Sequence, residues 1–366
     1  MKYAWCLLLT CLLLQHCVDP IEPVYDYTTG FILVEGGIVA GGAGNEIRIR
    51  RSDLSFGRYV LEPIRDALVF SIDGSGAEVA WLKSAQTGVY LPPNDFAASE
   101  GETYHVRIQL AGGEIIESDP ERIPQAVPFS NLSLSFNQEA YFSDSRQRFV
   151  PAFSLLVDIV DPADTDNFYL YTHRTWSQLS ICATCHKSVY RNGVCVETAS
   201  SRLVDHYDYS CLNPCWAFTD GDAFQLLSDE LNPGGQYTAV PAARIDFAGV
   251  GRILAEVRQY AITRKAFAYF SVLKDLTEGS AGLNAPLPAP LYGNLRDVSD
   301  RQTTVLGYVS ARSVSTDRLA WNRDSTDGTP ISIPQPPVYE PLLPSPPSAP
   351  CDGPNRTASE PDGWND

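Results

Sequence analysis

Between Thr103 and Leu110 apolar and polar side chains alternate without a break, Tyr104, Val106, Ile108 and Leu110 interleaving with Thr103, His105, Arg107 and Gln109. A repeat of two residues can bury one side only in an extended strand, so this stretch has to be a half-buried β-strand. Ala111-Gly112-Gly113 turns it into Glu114-Ile115-Ile116-Glu117, a partner of the same kind. His105 falls on the polar face, which predicts an outward side chain without a ligand role. Residues 31–39, with Ile32, Val34 and Ile38, read as an opening strand, and residues 68–72 pass through Asp73-Gly74-Ser75-Gly76 into residues 77–82 as a hairpin.

Pro120, Pro124 and Pro128 make residues 120–131 the expected linker between a first β domain, residues 31–119, and a second, residues 132–322. Within the second, residues 153–160 and 168–172 again read as strands. Residues 263–278 read as one amphipathic helix, because Ala266, Phe267, Phe270, Leu273 and Leu276 recur at three- and four-residue steps and Gly279 follows as a stop. An aromatic stripe at that spacing packs a core rather than lining a ligand box. From residue 323 to 366 prolines crowd the chain, and this tail, unable to form a core of its own, reads as disordered or extended.

The start of the chain bears on destination. Met1-Lys2 is a short basic beginning, and residues 7–14 are apolar apart from Thr10 and Cys11. This is shorter than the ~20 residues a spanning helix requires, so residues 1–16 read as an export signal. The signal ends in Leu14-Gln15-His16-Cys17, similar to a lipobox, although Gln15 and His16 replace the usual small residues. Acylation of Cys17 would then anchor the chain through residues 17–30 as a tether. Cys11 as the acylated residue, or a soluble-secretion signal cut nearby, are the alternatives. The balance of 27 basic against 44 acidic residues, a formal charge of −17, argues against nucleic acid as a partner.

Six further cysteines, Cys182, Cys185, Cys195, Cys211, Cys215 and Cys351, are an even set of the sort that oxidising compartments favour. Five lie in a Cys-rich insertion, residues 181–216. Cys182-Ala183-Thr184-Cys185-His186 matches the attachment pattern of c-type haem, with His105, His173 or His206 available as a second ligand. Cys182, Cys185, Cys211 and Cys215 could alternatively give zinc four thiolates. Disulfides account for the whole set most economically, with the connectivity open. No nucleophile elbow, phosphate loop or zinc-hydrolase motif occurs. Asp220-Gly221-Asp222 and Asp161-Pro162-Ala163-Asp164 lack the ligand series of a calcium loop and read as turns.

Several short stretches, taken in order, resemble a family of Bacteroidota lipoproteins, domain of unknown function 4249. They are Cys17-Val18-Asp19-Pro20 leading to Leu33-Val34-Glu35-Gly36; Gly88-Val89-Tyr90; Gly101-Glu102-Thr103-Tyr104; Asp161-Pro162 with Asn167-Phe168-Tyr169; Ala261 through Phe270; Pro290-Leu291-Tyr292-Gly293-Asn294; and Gly307-Tyr308-Val309-Ser310-Ala311. The resemblance implies an N-terminal Ig-like or carboxypeptidase-regulatory-like β-sandwich, then a second β-rich domain carrying the helix. It also implies company with TonB-dependent receptors, and it supplies no catalytic residue, cofactor or metal ligand. The expectation is a non-enzymatic lipoprotein of the outer membrane, displayed at the cell surface, that serves such a transporter as accessory or ligand-binding partner. A haem redox protein and a structural surface adhesin are the alternatives.

Overall fold

The computed structural model describes residues 30–41, 44–55, 58–278, 291–299, 301–333, 335–341 and 345–365. Its strands bury the side chains that the period-two pattern selects. In Thr103–Leu110 the residues Tyr104, Val106, Ile108 and Leu110 are buried and His105 lies on the other face. The expected hairpin joins Ala67–Asp73 to Glu78–Lys83, and an Asp73 carboxylate oxygen shapes its turn by accepting the Ser75 and Ala77 amides at 2.9 and 3.0 Å.

The fold is mainly β, with Arg264–Glu278 the one α-helix among the described residues. In the N-terminal unit one layer consists of Ala67–Asp73, Glu78–Lys83, Thr103–Leu110 and Ile115–Ser118. The other consists of Ile32–Ala40, Glu46–Ser55, Arg58–Pro63 and Val89–Leu91. Ile32, Val34, Ile47 and Ile49 from the second layer share one core with Val69, Val106, Ile108 and Ile116 from the first.

Residues 31–119 do not close this unit by themselves. Leu295–Asp297 pairs with Ile115–Ser118, and the first half of Val305–Asn322 runs parallel to Ile32–Ala40, from Ile32 opposite Val305 to Ala40 opposite Ser313. Leu295, Val305, Val309 and Ala311 belong to the N-terminal core. Residues 295–311, expected in the second domain, therefore complete the first. Without them Ile32–Ala40 would be an edge strand with one row of backbone donors and acceptors unpaired.

From Ser313 onward the same long strand is antiparallel to Arg252–Ile262, ending with Asn322 opposite Arg252. The sheet then continues through Phe168–His186 to His206–Asp220. A three-stranded sheet of Phe129–Ser143, Arg148–Val160 and Gln236–Asp246 contributes Leu155, Val157 and Ala243 to a core that Tyr169, Tyr171 and Val257 complete from the long sheet.

The segment 120–131 crosses between the units as a packed strap, its Val127 carbonyl accepting Gln259 Nε2 at 2.6 Å and Ser315 Oγ at 3.1 Å. Its Glu121 is buried where the units meet and accepts from the Tyr308 hydroxyl, the Thr263 hydroxyl (2.8 Å) and the Ala311 amide (3.1 Å). Burial nevertheless pushes the Glu121 carboxyl above its ordinary value. Thr263 also accepts the Ala266 amide at 3.2 Å and so caps the helix. Phe267 packs on Phe168 (5.1 Å between ring centres) and Tyr269 on Tyr308 (4.9 Å), which makes the aromatic stripe core. The expected stop, Gly279, lies outside the described residues.

The junction strand requires glycine at residue 307, where φ is +99° and an added Cβ would stand 2.0 Å from the Val34 carbonyl oxygen. Gly307→Ala is expected to destabilise the protein by about 2 kcal/mol or more, from backbone strain together with separation of the paired strands. Denaturant melts check this against Gly76→Ala, where φ is also positive but the new methyl meets nothing. Equal losses for both variants would mean that the strand pair does not depend on this close approach.

Candidate functional site

The six cysteines converge on one end of the second unit. Phe168–His186 and His206–Asp220 form a long antiparallel ribbon, with Arg174 opposite Asp220 at one end and His186 opposite His206 at the other. Cys182–Cys211 joins the two strands, with 4.7 Å between Cα atoms. Cys185–Cys195 ties the ribbon to the small hairpin of Val189–Arg191 and Val194–Val196, at 5.5 Å. Cys215–Cys351 fastens the proline-rich tail, at 5.4 Å across 136 positions of sequence. Cys182, Cys185 and Cys215 pack with Tyr190, Tyr209 and Ala349 into a core that belongs to this apex alone.

The expected disulfides thus use all six residues, and the arrangement decides among the sequence alternatives for the Cys182-x-x-Cys185-His186 motif. Both thiols are spent, on two different partners. The motif lies in a single strand, whose rise of about 3.3 Å per residue draws Cys182 and His186 out over roughly 13 Å. Four thiolates for zinc are absent for the same reason. Of the histidines considered as a second haem ligand, His105 sits on the N-terminal unit, His173 is buried in the second, and His206 faces His186 with 5.8 Å between ring centres. Cys17, the expected lipid attachment, lies outside the described residues.

Of the two courses expected for the tail, the described part takes the extended one, and it is firmly held. Asp208 and Val338 exchange hydrogen bonds, the Val338 amide to Asp208 Oδ2 at 3.0 Å and the Asp208 amide to the Val338 carbonyl at 2.8 Å. Arg191 grips Glu340 with two nitrogens at 2.9 and 2.5 Å, and Tyr209 donates to the same carboxylate at 2.8 Å. The Arg191 guanidinium holds the Glu340 carboxyl below its ordinary value. Arg356–Thr357 adds a short strand beside Ala217 and Trp216, and buried Trp364 meets Trp216 edge to face. Among its described residues the tail forms no core of its own but contributes Ala349 and Trp364 to others.

A second feature escaped the sequence reading. An open polar cleft of about 450 Å³ is lined by Tyr141, His173, Asp220, Asp222, Arg244 and Arg323, among others. Arg174 clamps Asp220 through two contacts of 2.7 Å, so that Asp220 is held below the usual carboxylate range although burial alone would raise it. Tyr141 donates to Asp246 at 2.9 Å and lies under the Arg244 guanidinium. Burial pushes His173 below its ordinary value, against the pull of Asp220 and Asp222, and its Nδ1 has no hydrogen-bond partner. These residues come from four strands, the bend after Asp220 and the turn at Arg323, and only the tertiary fold places them around one space.

Two of the four aspartates weighed for calcium, Asp220 and Asp161, serve as structural acceptors. Asp220 answers Arg174, while Asp161 accepts the Tyr169 hydroxyl at 2.5 Å and the Gly234 amide at 3.0 Å. The nearby Asn167 amide donates to Asp229 at 2.8 Å. These partners leave the two loops as turns, as their incomplete ligand series implied.

Comparison with known proteins gives one family. The profile of a domain of unknown function, number 4249, matches residues 18–318, well over half of the chain, and the chain belongs to that family. No curated protein matches it. Four of the stretches on which the resemblance rested meet, in their described parts, at the junction. Leu33-Val34-Glu35-Gly36 pairs with Leu306 to Val309, the Asn294 side chain exchanges hydrogen bonds with the Val309 backbone at 2.9 and 3.1 Å, and Thr263 reaches Glu121. The matched span includes both the frame and the cysteine apex at residues 181–216.

Two outcomes test the site as described. The double variant Cys215→Ser/Cys351→Ser, which opens a very long loop, should lower stability by about 4 kcal/mol and expose the tail to protease between residues 323 and 351. Unchanged melting and an uncut tail would mean that hydrogen bonds alone hold it. For His173, a folded pKa below the ordinary 6.5 means that the unfolded chain takes up the proton first. Its contribution is therefore intact above about pH 6.5 and is lost as the pH falls toward the depressed folded value. His173→Asn should flatten stability over that interval. A wild-type slope retained in the variant would assign the effect elsewhere.

Proposed function

We propose that this member of the domain of unknown function 4249 family is a non-enzymatic lipoprotein of the outer membrane, exposed at the cell surface, and that it serves a TonB-dependent transporter as an accessory or ligand-binding partner. The observation that carries the docking part is the apex itself. Val194, Val196, Leu203 and Leu212 are 59, 44, 90 and 63% exposed, all within the disulfide-bonded insertion. Apolar side chains that water would otherwise hydrate, displayed on a backbone fixed by cross-links and a docked tail, suit a surface that binds with little loss of freedom.

Cysteine usage supports export and anchoring. The six cysteines of the described body are paired with one another, as an oxidising compartment favours. The other three are Cys6, Cys11 and Cys17, and Cys17, at the end of the leader-like stretch, is the proposed site of acylation. The acidic surface implied by the net charge of −17 also suits a protein that stays off anionic headgroups and is held by acyl chains instead. The link to a TonB-dependent transporter comes from the family resemblance, and the exposed apolar side chains of the apex support a docking role for that part of the chain.

Affinity purification from detergent-solubilised outer membranes tests the reading. The wild-type chain should partition with the membrane and bring down a TonB-dependent receptor. Cys17→Ser should release it from the membrane fraction, and Leu203→Asp/Leu212→Asp should abolish receptor recovery with membrane attachment unchanged. Attachment of the Cys17→Ser protein would overturn the anchor. A receptor that stays bound to the Asp variant would move the docking surface elsewhere, and purification of the intact lipoprotein without any receptor would favour an adhesin.

A further inference from the structure

We propose that the tip of the cysteine-linked ribbon binds a divalent transition-metal ion through His186, His206 and Asp205. The two histidines are directly opposed across the antiparallel strands, and one ligand atom from each of the three residues lies within 4.8 Å of the others. Direct opposition brings side-chain bases close together, and the exposed imidazole of His186 can turn toward the other two groups. Metal–ligand bonds of about 2.1 Å place neighbouring donors about 3.4 Å apart. His206 Nδ1 already stands 3.3 Å from Asp205 Oδ2.

Asp208 supplies an independent sign of the chemistry. Its Oδ2 lies 3.5 Å from His206 Nε2, the ring nitrogen that faces away from Asp205. Metal-bound histidines commonly direct their other ring nitrogen at a carboxylate, which fixes the tautomer and makes the ligating nitrogen more basic. Here that arrangement would leave the Nδ1 lone pair toward the proposed ion. Asp208 is itself immobilised by the Thr184 hydroxyl at 2.7 Å and the Val338 amide at 3.0 Å. Asp208 is thus a positioning residue, outside the coordination sphere.

The backbone beneath the three ligands is equally fixed. The Lys187 amide donates to the Asp205 carbonyl at 2.9 Å, the Ser188 hydroxyl donates to the His186 carbonyl at 2.8 Å, and Cys185–Cys195 anchors the residue before His186. Two imidazoles and one carboxylate suit zinc, nickel or copper rather than calcium or magnesium, which prefer oxygen alone. Three protein donors also leave a coordination position for water or for a group on a partner. The site goes beyond the transporter reading and does not depend on it.

Calorimetric titration of the metal-stripped full chain, disulfides intact and without a histidine tag, tests the proposal with Zn²⁺ as probe and Ca²⁺ as contrast. One Zn²⁺ should bind per chain and Ca²⁺ should not. Asp208→Asn should weaken Zn²⁺ by about 10- to 100-fold, and His186→Gln or His206→Gln by at least as much, with the melting temperature of the metal-free histidine variants unchanged. Proton NMR should show both imidazoles shifting with Zn²⁺. The proposal is overturned if no saturable one-to-one binding occurs, or if the double variant His186→Gln/His206→Gln binds as the wild type does.

Discussion

The parallel pairing of Ile32–Ala40 with the first half of Val305–Asn322 is the contact on which the architecture turns. It brings together segments more than 260 positions apart in sequence, and it supplies the neighbour that an otherwise unpaired strand needs. The second half of the same strand pairs with Arg252–Ile262, so the backbone hydrogen bonds of one strand hold both units. Glu121, Tyr308, Thr263 and Ala311 then fill the corner with a polar network whose carboxylate has three donors. Closing so long a loop costs conformational entropy, which the shared core and the paired backbone of this strand offset.

The apex is held in a different way. A ribbon projecting beyond a two-layer core has little apolar surface to bury, and here cross-links take over part of that role. Three disulfides, the Arg191–Glu340 pair and the tail's backbone hydrogen bonds replace what a larger core would supply. The proposed docking role rests on this division. The junction joins the two units through one shared strand, while the apex presents Leu203, Leu212 and the opposed histidines on a cross-linked ribbon.

Much of the fold was legible in local pattern. Period two in Thr103–Leu110 gave a strand and its buried face, the turn at Asp73 gave a hairpin, and the three- and four-residue steps after Thr263 gave the helix to within a residue. These features depend on side chains a few positions apart, and that is the range over which a sequence can be read directly. The assignment of residues 295–311 to the N-terminal unit was not legible. Val305, Val309 and Ala311 alternate as they would in any half-buried strand, and nothing in that alternation names the strand beside it.

The same limit separates the two parts of the candidate site. An even number of cysteines after a stretch read as an export leader pointed to disulfides, because that inference needs only composition and redox chemistry. Which cysteine meets which was decided by the register of the ribbon, since Cys182 can bond to Cys211 only once those strands are aligned. His186 and His206 were visible one at a time, and only the tertiary structure set them opposite each other, next to the Asp205 and Asp208 that flank His206 in sequence. The sequence by itself determined the β character, the helix and the chemistry of its cysteines, all of which arise from local or compositional forces. The tertiary structure decided the shared strand, the cleft around His173 and the histidine pair, because each depends on strand register, which long-range packing sets.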